Sequence, residues 1–327
     1  MGRVEVLASE VWRARAAAHA ERADALTAGH RARRARGEAH PVEDFLYTYY
    51  PTRPSRLRRW HPGAGVLLED AEERADWRHY VRDGNGVRVD HAALADERAT
   101  TLAFVAGLLR ATAGRPAQLG CFGLHEWAMV YRDADTRHPV PLRLGRGGTD
   151  AVVESHRIRC SHFDAYRFFT DAAAPRNTVT PTRERQVELE QPGCLHAGMD
   201  LYKWADKLGP LVPGELLLDT FTLAHDIRAL DMRASPYDLA GLGYEPVRIE
   251  TAEGKAAYAA AQQGFAERGA DLRRRLLAVG DQATRSSEST QSRPARSGSS
   301  AQRFTPCGTA VGSASSSTVT ASRPSSR

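Results

Sequence analysis

Apolar residues recur at helical spacing along most of the chain. Cys194, Ala197, Leu201, Trp204 and Leu208 fall on one stripe of a helix predicted over 193–209. Over 214–234, Leu216, Thr220, Leu223, Ile227 and Leu230 alternate steps of four and three, which makes a packing seam. Residues 209–212, with Pro213 behind them, join the two as a helical hairpin. Upstream, Ser9 is placed to cap a helix reaching about Gly37, with Trp12, His19, Ala23, Leu26 and His30 on one stripe. Pro41 suits a helix start, followed by the acids Glu43 and Asp44 and the apolar side Val42, Phe45, Leu46, Tyr49 and Tyr50. Asp90 is expected to cap a long helix ending near Gly114, and a last helix runs from a cap at Thr251 to Gly280.

Strand signals are sparse. Residues 78–89 read as a hairpin turning at Gly84-Asn85-Gly86. Between 117 and 160, PVPLRL and AVVESHRIR are read as short strands and Gly145 to Gly148 as a turn. Ser161-His162-Phe163-Asp164 has capping-box spacing and should open a helix to about Ala173. The expected fold is therefore mainly α: a helical globular body with a minor short-strand β element. The body is 1–280, as one unit or as two lobes of about 1–115 and 116–280. Residues 281–327 hold 14 serines and no Trp or Tyr, too little apolar surface to offset ordering entropy, and are read as a disordered tail.

Composition narrows the classes. A chain of 327 residues with 42% hydrophobic content can bury a sizeable core. No apolar run approaches the ~18 residues of a membrane span. The first twenty residues lack an apolar signal core, so a cytoplasmic location is expected. The net charge of +5 looks like a nucleic-acid signal, but 281–327 alone carry six Arg against one Asp and one Glu. The body is close to neutral, and any basic surface on it has to be local.

No strong catalytic signature is present: there is no GxSxG, P-loop, HExxH or dinucleotide GxGxxG. Three Cys–His near-pairs occur, Cys121 with His125, Cys160 with His162 and Cys194 with His196. Residues two apart on a regular helix point nearly opposite ways, so Cys194 and His196 are not expected to share a metal. The cysteines are read as small buried residues, and no metal or cofactor is expected.

Four polar groupings remain. His196, Asp200, Lys203 and Lys207, at steps of four, three and four, are either a solvated face or a cleft wall. Asp231 continues the row Leu217, Phe221, Ala224, Arg228 beside the packing seam, so it should be partly buried and paired with Arg228, as a structural ion pair or a site acid. Asp226 shares a polar face with Asp219 and Arg233, and Asp238 closes a capping-box pattern that begins at Ser235. In residues 47–63, aromatics interleave with Arg53, Arg56, Arg58 and Arg59. These side chains could hold phosphates and stack bases, or be a docked segment with rings in the core.

The blocks LYTYYPTRPSRLRRWHPG, RCSHFDAYRFFT and GCLHAGMDLYKWADKLGPLVPGELLLDTFTLAHDIRALDMRASPYDL resemble a family of bacterial, chiefly actinobacterial, proteins labelled 3-methyladenine DNA glycosylase. The likeness covers roughly residues 9–245. It implies a DNA N-glycosylase that hydrolyses the N-glycosidic bond of an alkylated purine, with duplex DNA carrying the lesion as partner. The chain lacks the LPGxG-type hairpin of helix–hairpin–helix glycosylases and the compact Cys/His zinc arrangement of another bacterial class, so no catalytic residue carries over from either. The chemistry asks for a carboxylate near the sugar, rings around a cationic base and cations along the backbone. The candidates are Asp231, Asp238 or Asp226 as the acid, and Tyr202, Trp204, Tyr237, Trp127 and Trp60 as rings. Arg53, Arg56, Arg58, Arg59 and His61 are candidates for DNA contact, with His162, His196, Asp200, Arg228 and Arg233 as further polar candidates. Two other readings stand beside this one: a small-molecule hydrolase or transferase, and a non-catalytic helical binding protein.

Overall fold

The computed structural model describes residues 4–291, with side chains to residue 282. Within Met1–Ser292, the described residues 4–291 form one compact unit. In chain order its helices are α1 (Ser9–Ala35), α2 (Phe45–Tyr49), α3 (Pro54–Leu57), α4 (His91–Glu97), α5 (Ala99–Ala113), α6 (Leu124–Ala128) and α7 (Gly145–Ser155). They continue with α8 (Phe163–Tyr166), α9 (Gln186–Leu189), α10 (Leu195–Leu208), α11 (Gly214–Arg233) and α12 (Ala252–Gln291). The fold is mainly α, with a small sheet. No described helix is long and apolar enough to cross a membrane.

The expected hairpin of helices is α10 and α11, joined by a 3-10 turn at Gly209–Leu211. Their seams bury Leu201, Trp204, Leu208, Leu216, Leu223 and Ile227, and α12 packs across both helices and across α4 and α5. Thr251 Oγ1 caps α12 by accepting from Gly254 N at 3.0 Å. Residues 281–291 continue α12, so the helix does not stop at Gly280; the rest of the expected disordered tail, 292–327, lies outside the described residues.

The sheet runs β1 (Glu5–Leu7), β2 (Val66–Glu69), β4 (Gly86–Val89), β3 (Tyr80–Asp83), with β1 parallel to β2 and the other pairs antiparallel. The β3–β4 hairpin is the expected one, turning through Gly84 at φ +60°. Strands β1 and β2 gave no signal in the pattern, being three and four residues long.

Several local expectations are corrected. AVVESHRIR belongs mostly to α7, which buries Thr149, Val152 and Val153 at helical spacing, and the supposed turn at Gly145 to Gly148 is its first turn. PVPLRL makes only the isolated bridge Leu142–Tyr237. Helix α8 ends at Tyr166, short of Ala173, and Ser161 does not cap it. The helix expected from Pro41 starts at Phe45, and α1 begins at Ser9 behind Ala8. Asp90 Oδ1 does accept from Ala93 N at 3.1 Å, but the helix it caps breaks at Arg98 into α4 and α5. Residues 235–238 run non-helically past Leu142, and the capping pattern there opens only a 3-10 turn, Ala240–Leu242.

Candidate functional site

A cleft of about 850 Å³ opens between α2, α5, α8 and α10. Phe45, Tyr49, Tyr50, Phe104 and Trp204 supply its rings. Arg137, Arg167, Arg183, Lys203 and Lys207 supply five cations against the single carboxylate of Asp164. An inner chamber of about 90 Å³ shares Phe45, Tyr49, Arg137, His138 and Asp164 with the cleft and extends it to Glu126, Met129, Phe168, His196 and Arg228.

Asp164 therefore borders both spaces. Its Oδ1 accepts from Arg183 at 2.7 Å and its Oδ2 from Lys203 at 3.3 Å. Burial works against the charge, but Lys203 and Arg183 outweigh it and hold the carboxyl below its ordinary range. Lys203 also pairs with Asp200, one helical turn back, and Asp200 accepts from the Tyr50 hydroxyl at 2.9 Å. Burial opposes ionisation of Asp200 as well, but Lys203 and His162 keep its carboxyl well below the usual range. In the chamber, Glu126 accepts from Arg228 at 2.8 Å, and against its burial Arg228 and His125 keep it ionised.

Against the chamber lie two buried triads, His125–His196–Asp231, of which His196 lines the chamber, and His162–Glu190–Asp200; within each, the ligand atoms lie within 4.8 Å of one another. His125 Nε2 bonds to Asp231 Oδ2 at 3.2 Å, and Asp231 raises the imidazole well above its ordinary value despite burial. His162 Nε2 lies 3.3 Å from Asp200 and 3.7 Å from Glu190, whose carboxyl is pushed up by burial. His196 stacks on His162 and meets His125 edge-on, and burial, reinforced by His125, lowers its pKa far below the ordinary value.

The three cysteines converge. Cys121 and Cys194, both half-buried, and the buried Cys160 line one small cavity of about 10 Å³ together with His125 and His196; His162 is not in its lining. Cys194 and His196 both reach this cavity because Cys194 is the extended N-cap of α10, outside the helix.

Of the proposed site residues, Trp204, His196 and Arg228 line the cleft or its chamber, while His162, Asp200 and Asp231 lie directly behind. The polar stripe on α10 is thus a cleft wall. Asp231 is fully rather than partly buried, with His125 as nearer partner than Arg228, whose Nη1 is 3.5 Å away. The other candidates are dispersed. Asp226 pairs with Arg268 at 2.8 Å, and exposed Asp238 accepts from Ala240 N at 3.2 Å. Trp60, Trp127, Tyr202 and Tyr237 are core side chains, bonded to Glu215, the Ala234 carbonyl, Thr52 and the Arg137 N–H respectively. Arg56 pairs with Asp206, Arg58 with Asp24, and Arg59 lies over Trp77, while Arg53 is exposed away from the cleft lining. His61 bonds to the Tyr80 hydroxyl, and burial with Arg74 nearby lowers its pKa to about 3; Arg233 donates to the Glu245 carbonyl.

Asp164 escaped the sequence reading because capping-box spacing gave it a structural reason to be there. Arg137, Arg167, Arg183 and Glu126 carried no pattern at all, since each reaches the cleft from a short helix or an irregular segment. Comparison of the chain with family models, with curated proteins and with solved structures gives no match.

Proposed function

We propose that the protein is a DNA N-glycosylase that takes an alkylated purine nucleotide, turned out of the duplex, into this cleft. The observation that carries the reading is the make-up of the cleft and its chamber: cations and rings line the cleft together, and two ionised carboxylates, Asp164 and Glu126, line the chamber. Phosphates suit Arg and Lys, and a flat cationic base suits rings beside a carboxylate. Asp164, at the junction of the two spaces, is then the acid nearest the sugar. It takes the role first considered for Asp231, which has no route to a ligand in the cleft. An ionised carboxylate there stabilises positive charge developing on the sugar as the base leaves.

Single-turnover excision on a duplex carrying a methylated purine tests this. Asp164→Asn is expected to slow excision by about 10²-fold with duplex affinity retained. Asp238→Asn, at an exposed turn, is expected to match the parent chain. Full excision by Asp164→Asn would refute the assignment of the acid, and no excision by the parent chain would refute the glycosylase reading.

A further inference from the structure

We propose that His125, His196 and Asp231 form a binding site for one divalent transition-metal ion of the zinc class, with an open coordination position facing the inner chamber. The three come from separate elements: His125 on α6, His196 in the first turn of α10, and Asp231 near the end of α11. All three are buried, and their ligand atoms lie within 4.8 Å of one another. Around a bound zinc such atoms stand about 3–3.6 Å apart, so small side-chain movements close the set. Two imidazoles and a carboxylate are a donor set that suits zinc.

Among the described residues, protein contacts satisfy the three donors only in part. Both Asp231 oxygens share the single His125 Nε2, at 3.0 Å for Oδ1 and 3.2 Å for Oδ2, and the fully buried Oδ1 has no other partner among the described residues. The His196 side chain makes ring contacts to His125 and His162 and no hydrogen bond. A buried carboxylate whose two oxygens share one donor is under-satisfied, since buried polar atoms are mostly fully paired. Local charge agrees: Arg228 and Glu126 neutralise each other at 2.8 Å, which leaves the Asp231 carboxylate for a proton on His125 or for a cation. The surroundings also match a ligand shell. His125 presents Nδ1 to Cys121 Sγ at 3.8 Å, and Arg228 Nη1 backs Asp231 at 3.5 Å, so both ligands are oriented from behind. His196 lines the inner chamber, so an ion held by these three residues keeps a position for water or a ligand atom, as three-ligand zinc sites do.

Two neighbouring clusters are weaker hosts. In His162–Glu190–Asp200, the Lys203 ammonium already pairs with Asp200 and supplies the positive charge. On the other face of His125, Cys121, Cys160 and Cys194 surround the small cavity, but among the described residues no cysteine joins a set of three within 4.8 Å.

The full chain, stripped of metal with a chelator and titrated with zinc by calorimetry, is expected to bind one equivalent. His196→Gln and Asp231→Asn are expected to weaken binding at least about tenfold, and Glu190→Gln, in the neighbouring cluster, to leave it unchanged. The cobalt-substituted parent chain is expected to show ligand-field bands without intense thiolate-to-cobalt charge transfer, a readout that needs no variant to fold. Absence of zinc binding, undiminished binding in a folded His196→Gln variant, or strong thiolate charge transfer would each overturn the proposal, the last by moving the ion to the cysteines. None of these outcomes depends on excision activity, so the site stands or falls apart from the glycosylase reading.

Discussion

His225 on α11 and Glu43, ahead of α2, form a 3.1 Å ion pair between distant parts of the chain. Asp226 and Glu43 raise His225 to about 9, and His225 with Tyr244 lowers Glu43 to about 2. A raised imidazole contributes its full stability below its unfolded value of 6.5 and loses it as pH climbs through 9. A lowered carboxyl contributes fully above 4.5 and loses that as pH falls through 2. The pair is therefore strongest between pH 4.5 and 6.5. Because His225 is 38% exposed, screening limits the gain to about 1 kcal/mol. Denaturant titrations of the parent and His225→Gln chains should differ most near pH 5.5 and converge by pH 9.5; a gap that widens with pH would be inconsistent with this pair. At this scale the sequence was informative about faces and silent about what they meet. The steps from His196 to Lys207 marked one side of α10, but on that side Lys203 meets Asp164 of α8, and Asp200 shares His162 with Glu190; no local pattern announces such long-range partners.

Among the elements, the long amphipathic helices were legible because their period repeats over several turns, and the short ones were not. The segment 145–155 shows the ambiguity: Val152 and Val153 suit a strand, yet with Thr149 they bury one side of a helix. The approach to α10 shows a contact that a sequence cannot display. A Cβ on Gly193 would meet the Gln118 carbonyl oxygen at 2.5 Å and its nitrogen at 2.9 Å, backbone atoms that cannot swing away. Gln191 ties the same two strands of chain together, accepting from Gln118 N at 2.9 Å and Gly193 N at 2.7 Å, and Gln262 on α12 donates to the Gly193 carbonyl at 2.6 Å. This close approach brings the segment carrying Cys121 and α6 against the start of α10, and so brings His125 to His196. Gly193→Ala is expected to destabilise the protein by about 1–3 kcal/mol, as overpacking does, and to loosen the His125–His196–Asp231 set. Equilibrium unfolding checks the first effect. An unchanged or raised midpoint would show that the 118 segment is free to move.

For the whole molecule, charge distribution decides where a polyanion can bind. The net charge of +5 is small for 327 residues, and most cations on the body are matched by nearby acids. The arginines at 53–59 looked like the basic surface in the sequence because they are close along the chain. In the structure Arg56 and Arg58 are paired and Arg59 lies against an indole. The concentration of positive charge at the cleft is assembled instead from residues 137, 167, 183, 203 and 207, too far apart in sequence to register as a cluster. Within it, Arg167, Arg183 and Lys203 share Asp164, whereas Arg137 lies over Phe168 and Lys207 over Trp204, with no carboxylate partner among the described residues. If duplex DNA enters this cleft, those two are the cations most ready to replace counterions on phosphates. Each lost phosphate contact lowers the slope of log affinity against log salt by about 0.9. Arg137→Ala with Lys207→Ala should therefore flatten the slope by up to about two units. Arg58→Ala with Arg59→Ala should leave it nearly unchanged, since Arg58 is already held by Asp24. Duplex binding measured across a salt series for both double variants separates the surfaces: a flattened slope in the Arg58 and Arg59 variant alone would move the DNA interface to α3 and away from the cleft.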